Sequence, residues 1–181
     1  MKLSTFLSLL VAASASALTI DMRFSDQSPL ALPGGVTNGE PVPGDSPIHF
    51  CKENNYNRKN DLVDIENISI DPNPPAVGQN LHLDVSGTLK ERIDQGSKLF
   101  VEVKLGYITL IKKHFDFCDL LTQADANVSC PLEPGYLHVI KDQELPTQIP
   151  PGKFIVTAHL FTDEDETNLV TCLHTEVTFK R

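Results

Sequence analysis

Leu81-His82-Leu83-Asp84-Val85-Ser86-Gly87-Thr88-Leu89-Lys90 alternates apolar and polar residues along its whole length. A period of two puts Leu81, Leu83, Val85, Gly87 and Leu89 on one face of an extended strand and the polar residues on the other. The same pattern recurs downstream. Leu99, Val101, Val103 and Leu105 share a face, with Glu102 and Lys104 turned outward. Phe154, Val156, Ala158 and Leu160 form a third such face, and Leu169, Leu173, Val177 and Phe179 a fourth, interrupted by Thr171 and Thr175. Less regular strands are expected at 62–70, 107–115 and 136–144, and one short helical turn near Asp119–Gln123.

Turn signals separate these runs. Asp71-Pro72-Asn73-Pro74-Pro75, Gln95-Gly96-Ser97 and Pro146-Thr147-Gln148-Ile149-Pro150-Pro151-Gly152 each break the chain, since proline fixes φ and removes a donor. Asp163-Glu164-Asp165-Glu166 reads as a solvated hairpin tip. About seven short strands joined by polar turns predict an all-β, two-sheet sandwich. The alternation shows which side chains face inward. A packed sandwich and a hollow one share it.

The flanking sequence sets the compartment. Lys2, the apolar Leu3 to Ala13 and the small-residue site Ala15-Ser16-Ala17 read as a signal peptide over 1–17. Residues 18–45 are turn-rich, notably Pro33 to Gly44, and are expected to be a removable pro-segment or a loose arm that buries little. The folded domain is expected over 46–181. Four cysteines, Cys51, Cys118, Cys130 and Cys172, suit two disulfides in an oxidising lumen. Three pairings exist. Cys118 and Cys130 flank a short polar loop and can close it, which leaves Cys51 and Cys172 to tie the first strand to the last. Such bonds are expected to staple the two sheets. Asn67-Ile68-Ser69 and Asn127-Val128-Ser129 are glycosylation sequons.

Composition excludes several functions. A net charge of −9 repels nucleic-acid backbones, so no nucleic-acid partner is expected. The motifs of serine hydrolases, zinc proteases, P-loops and dinucleotide folds are absent. The six histidines, at 49, 82, 114, 138, 159 and 174, are scattered, without metal-ligand spacing. No enzyme activity, cofactor or metal is expected, and nothing signals an obligate oligomer.

Several segments carry a resemblance. Ser69-Ile70-Asp71-Pro72-Asn73-Pro74-Pro75, Val85-Ser86-Gly87-Thr88-Leu89-Lys90-Glu91 and Glu102-Val103-Lys104-Leu105-Gly106-Tyr107-Ile108 resemble the ML lipid-recognition family. Glu144-Leu145-Pro146-Thr147-Gln148-Ile149-Pro150-Pro151-Gly152-Lys153-Phe154 is the most specific match. Within the family the chain is most similar to the fungal phosphatidylglycerol/phosphatidylinositol transfer branch, relatives of the Niemann–Pick type C sterol carriers. The absence of cysteine from Lys52 to Asp61 favours that branch over the sterol carriers, which have a third disulfide.

The resemblance implies an immunoglobulin-like sandwich splayed around an apolar pocket, the disulfides Cys51–Cys172 and Cys118–Cys130, and a phospholipid or sterol as ligand. It implies transfer between membranes in the vacuole-like lumen or outside the cell, with transient contact at the membrane surface. The inward positions expected to line a pocket are Leu83, Val85, Leu89, Val101, Val103, Tyr107, Leu110, Phe115, Val139, Phe154, Val156 and Leu160. Lys90, Arg92, Lys112 and Lys113 are candidates for a head-group phosphate at the rim. Protonation of all six histidines would move the balance from −9 to −3 and ease docking on anionic lipid at low pH. A lipid-sensing or adhesion module and a secreted hydrolase are the rival readings.

Overall fold

The period-two runs become strands. The computed structural model describes residues 37–53, 55–124 and 126–180, so the signal segment and residues 18–36 lie outside the described residues. In chain order the strands are β1 (Thr37–Pro41), β2 (Ile48–Lys52), β3 (Val63–Asp71), β4 (Asn80–Leu89), β5 (Lys98–Leu105), β6 (Ile108–Asp116), β7 (Gly135–Glu144), β8 (Gly152–Phe161) and β9 (Leu169–Phe179). A short helix, α1 (Phe117–Gln123), follows β6.

Six strands form one sheet in the order β1-β2-β9-β8-β5-β6, and three form the other in the order β3-β4-β7. Every pairing is antiparallel. Leu99, Val101, Val103 and Leu105 stand opposite Leu160, Ala158, Val156 and Phe154, so the two apolar faces read from the sequence make one continuous surface. Val85 and Gly87 face Val139 and Leu137 in the same way. A Cβ at Gly87 would lie 2.6 Å from the Asp64 carbonyl, and only glycine admits this approach of β3 beside its bulge at Ile65–Asn67.

Two expectations are corrected. Thr37–Pro41 is not irregular: it pairs with β2, and Val42 just beyond is only 3% exposed, packed with Phe50, Ile65 and Ile68. Pro41 is tolerated because β1 is an edge strand. The chain then crosses to the free edge of β3, where Ile68 and Ile70 donate to the carbonyls of Pro43 and Asp45. The disulfides pair as expected, Cys51–Cys172 and Cys118–Cys130, but the first does not join the sheets. It links β2 to its neighbour β9 inside the six-stranded sheet. Only Cys118–Cys130 bridges between layers, from α1 at the end of β6 to the segment that enters β7.

One end of the sandwich is closed. Asp116 caps α1 by accepting from the Asp119 amide, and the Phe117 amide donates to the Ser97 carbonyl. Phe117 and Leu121, four residues apart, share one face of the helix. Ile93 and Leu132 exchange two backbone hydrogen bonds beside them, and with Leu89 and Val170 they form a buried cluster.

Candidate functional site

Between the sheets, against the closed end, lies a cavity of about 270 Å³. Of its twenty lining residues only Ser86 and Thr171 carry a polar side chain, and none is charged. Val85, Gly87, Leu89, Leu137 and Val139 line it from the three-stranded sheet, Leu99, Ala158, Leu160 and Leu173 from the other. Ile93, Phe117, Leu121, Val128 and Leu132 form its floor.

The twelve inward candidates separate into four groups. Val85, Leu89, Val139 and Leu160 line the cavity. Leu83 packs instead against the neighbouring cluster of Val42, Phe50, Ile65 and Ile68. Val101, Val103, Phe115, Phe154 and Val156 share the inward face but lie half-buried outside the lining. Phe154 meets Phe179 edge-on, ring centroids 5.5 Å apart. Tyr107 and Leu110 are not inward at all. Tyr107 is 95% exposed in the two-residue turn of the β5–β6 hairpin, where Gly106 takes the positive φ such turns require. Leu110 is the extra residue of a bulge between Val103↔Ile111 and Lys104↔Thr109. One extra residue reverses the alternation, which is why a strict period-two reading misplaces it. The floor residues escaped the sequence reading because they sit in a helix and loops. The i, i+4 pair Phe117 and Leu121 was their one readable signal.

The four cationic candidates do not converge. The Lys90 ammonium donates to the Asp61 carbonyl at 2.9 Å and pairs with Asp64 at 3.1 Å. Arg92 pairs with Asp94 and Glu133. Lys112 faces outward to Glu102, whereas Lys113, opposite Val101, stands on the inward side of β6, 5.1 Å from the Phe115 ring. Among the sequons, Asn127 is exposed, and half-buried Asn67 is hydrogen-bonded to Asp84 and Ser69.

No histidine lines the cavity. His82 pairs with Asp142, His138 with Asp84, His114 with Glu166 and His159 with Glu53. Glu53 and His159 lie beside Cys51 and Cys172, but both sulfurs are tied up in the disulfide and are not thiolate ligands. Behind the cavity wall, buried Asp61 accepts from the Tyr56 hydroxyl at 2.6 Å and from Thr171 at 2.9 Å. Burial raises the Asp61 carboxyl above its ordinary range, although these two bonds oppose the shift. The Tyr56 phenol is pushed up by burial and then by Asp61.

Fold and cavity together define a class: a two-sheet, immunoglobulin-like β-sandwich enclosing an apolar chamber with no reactive group in it. The chain belongs to the ML domain family, which it matches over residues 45–179. A phosphatidylglycerol/phosphatidylinositol transfer protein of Yarrowia lipolytica is 46% identical over 140 residues, 77% of this chain and 70% of that one. One from Aspergillus oryzae is 37% identical over 174 residues, covering 94% of this chain and 92% of that protein. A Niemann-Pick type C2 protein from Japanese carpenter ant shares the fold, with a TM-score of 0.51 at 13% identity over 69% of this chain and 98% of that one. The chain is a lipid-binding-domain protein and not an enzyme.

Proposed function

We propose that this protein carries one phospholipid, of the phosphatidylglycerol or phosphatidylinositol kind, between membranes. The apolar lining of the cavity supports this reading most directly. An acyl chain leaving a bilayer costs about 0.8 kcal/mol per CH₂ exposed to water. A chamber that offers apolar walls at the membrane surface removes that cost without any catalytic group.

The half-buried row of Val101, Val103, Val156 and Phe154 extends the inward face from the cavity toward the β5–β6 hairpin. The tip presents Tyr107 and Ile108, 95% and 65% exposed. From Val103 to Phe115 there are three lysines and no acidic residue, in a chain of net charge −9. Such a tip inserts its aromatic and aliphatic groups at the interface while its lysines meet anionic head groups. Lys113, on the inward side, is the residue placed to meet the phosphate of a lipid entering there. The protein acts as a monomer after loss of the signal and the segment before β1, with Asn127 glycosylated, in an oxidising lumen or outside the cell.

Transfer of labelled phosphatidylinositol, phosphatidylglycerol and ergosterol between vesicles tests the proposal. Transfer should scale with protein concentration and favour the phospholipids. No transfer of any of the three by a folded, disulfide-bonded sample overturns it; preference for ergosterol makes it a sterol carrier instead.

A further inference from the structure

A second concavity of about 780 Å³ lies on the outside of the molecule, at the β1–β2 edge of the six-stranded sheet. It shares no lining residue with the apolar cavity. Lys52, Arg58, Lys59 and Lys90 line it, against two carboxylates, Glu40 and Asp64. A cationic excess in a chain of net charge −9 is a local reversal of sign, and concave walls concentrate its field.

Two of these cations are held in place. The Arg58 guanidinium sits 4.1 Å over the Phe50 ring, and its Nη1 donates to Glu40 at 2.8 Å. A guanidinium has five N–H donors, and Glu40 takes its bond from one nitrogen only. Lys90 is fixed by Asp61 and Asp64. The Lys59 ammonium makes no ion pair among the described residues, while its amide is bound by Asn57, which caps the 3₁₀ turn Arg58–Asn60. A fixed planar fork beside ammonium groups suits a phosphate better than a lone carboxylate. The side-chain amide of Asn57 adds a neutral polar group of the kind that meets hydroxyls, in a volume typical of small-molecule sites.

We infer that this cleft is a separate anion site for a phosphorylated polyol, either a free solute or the inositol-phosphate head group of a membrane lipid. The cleft and the β5–β6 hairpin lie at opposite edges of the six-stranded sheet, so one need not occupy the other's membrane.

The test titrates the intact, disulfide-bonded protein with myo-inositol 1-phosphate by NMR or calorimetry, beside a double variant, Arg58→Gln with Lys59→Gln. Both side chains are on the surface turn, and unchanged loading of a fluorescent fatty-acyl lipid into the cavity serves as the control for folding. Saturable binding that weakens at least roughly tenfold in the variant and falls with added salt is expected. Vesicles of phosphatidylcholine with phosphatidylinositol 4-phosphate then separate the sources. Cosedimentation that depends on Arg58 and Lys59 assigns the site to a bilayer head group, and binding of the free phosphate alone assigns it to a solute. No saturable binding in either format, or equal binding by the variant, overturns the inference. Neither result bears on transfer through the cavity, which is read separately.

Discussion

The closed end and the hairpin end of the sandwich are built from the same alternating strands, yet they differ in what covers those strands. At the closed end α1, the Ile93–Leu132 bridge and a disulfide seal a lining that is apolar but for Ser86 and Thr171. At the hairpin end Val103, Leu105 and Phe154 continue the same face but stay half-buried, and Tyr107 stands in solvent. The lesson is that strand periodicity assigns a side chain to a face, and the capping segments decide its depth.

The two disulfides offer the sharpest way to break this comparison. Replacing Cys51 and Cys172 with alanine removes a closure of 121 residues, which on the chain-entropy model costs about 5 kcal/mol of stability. Because that bond lies within one sheet, the release rate of bound lipid should stay near wild type wherever the variant is folded. Replacing Cys118 and Cys130 opens a loop of only 12 residues and should cost about 3 kcal/mol, but it loosens the floor and should speed lipid release. Denaturant melts and dissociation kinetics check both, and equal release rates in the two variants would refute the distinction between the ends.

Filling the chamber gives a smaller effect of the same kind. Val139→Trp occupies the lining and should lower lipid loading at least roughly tenfold, about 1.4 kcal/mol, whereas Val101→Trp, on the same inward surface but outside the lining, should lower it far less. Equilibrium loading of both variants decides. At the other end, Tyr107→Ser with Ile108→Ser should reduce transfer between anionic vesicles by a few-fold, on the order of 1 kcal/mol of apolar contact, and leave loading from micelles unchanged. Reduced loading would place the hairpin in the pocket after all.

The gentlest test uses pH. Burial holds the folded-state pKa of Asp61 above its unfolded value. The folded chain therefore binds that proton more tightly, and stability should rise as pH falls through the folded pKa toward the ordinary carboxylate range. Asp61→Asn should remove this gain, seen as a flatter melting temperature against pH; an unchanged slope would show that other groups carry it.

Much of the fold was legible because its strands have one buried face. Leu81 to Leu89 and Phe154 to Leu160 declare their faces directly. The bulge at Leu110 was not legible, since an inserted residue leaves composition untouched and only reverses parity. β1 was hidden by Gly39 and Pro41, which mark turns locally although the edge position tolerates them. The site was half legible. Val85, Leu89, Val139 and Leu160 could be named from pattern, but Ile93, Val128 and Leu132 reach the cavity from loops that have no period.

The placement of the covalent cross-links also governs compliance. β2 and β9 are tied laterally by Cys51–Cys172, and the disulfide between the layers, Cys118–Cys130, sits at one end. A sandwich cross-linked at a single end behaves as a cantilever: at its far end a main-chain connection, residues 145–151, rather than a disulfide joins β7 to β8, so that end widens by flexing a loop and parting side-chain contacts. Guests of differing girth then meet graded resistance instead of a fixed wall, and size discrimination becomes a matter of elasticity, adjustable by substitutions far from the ligand.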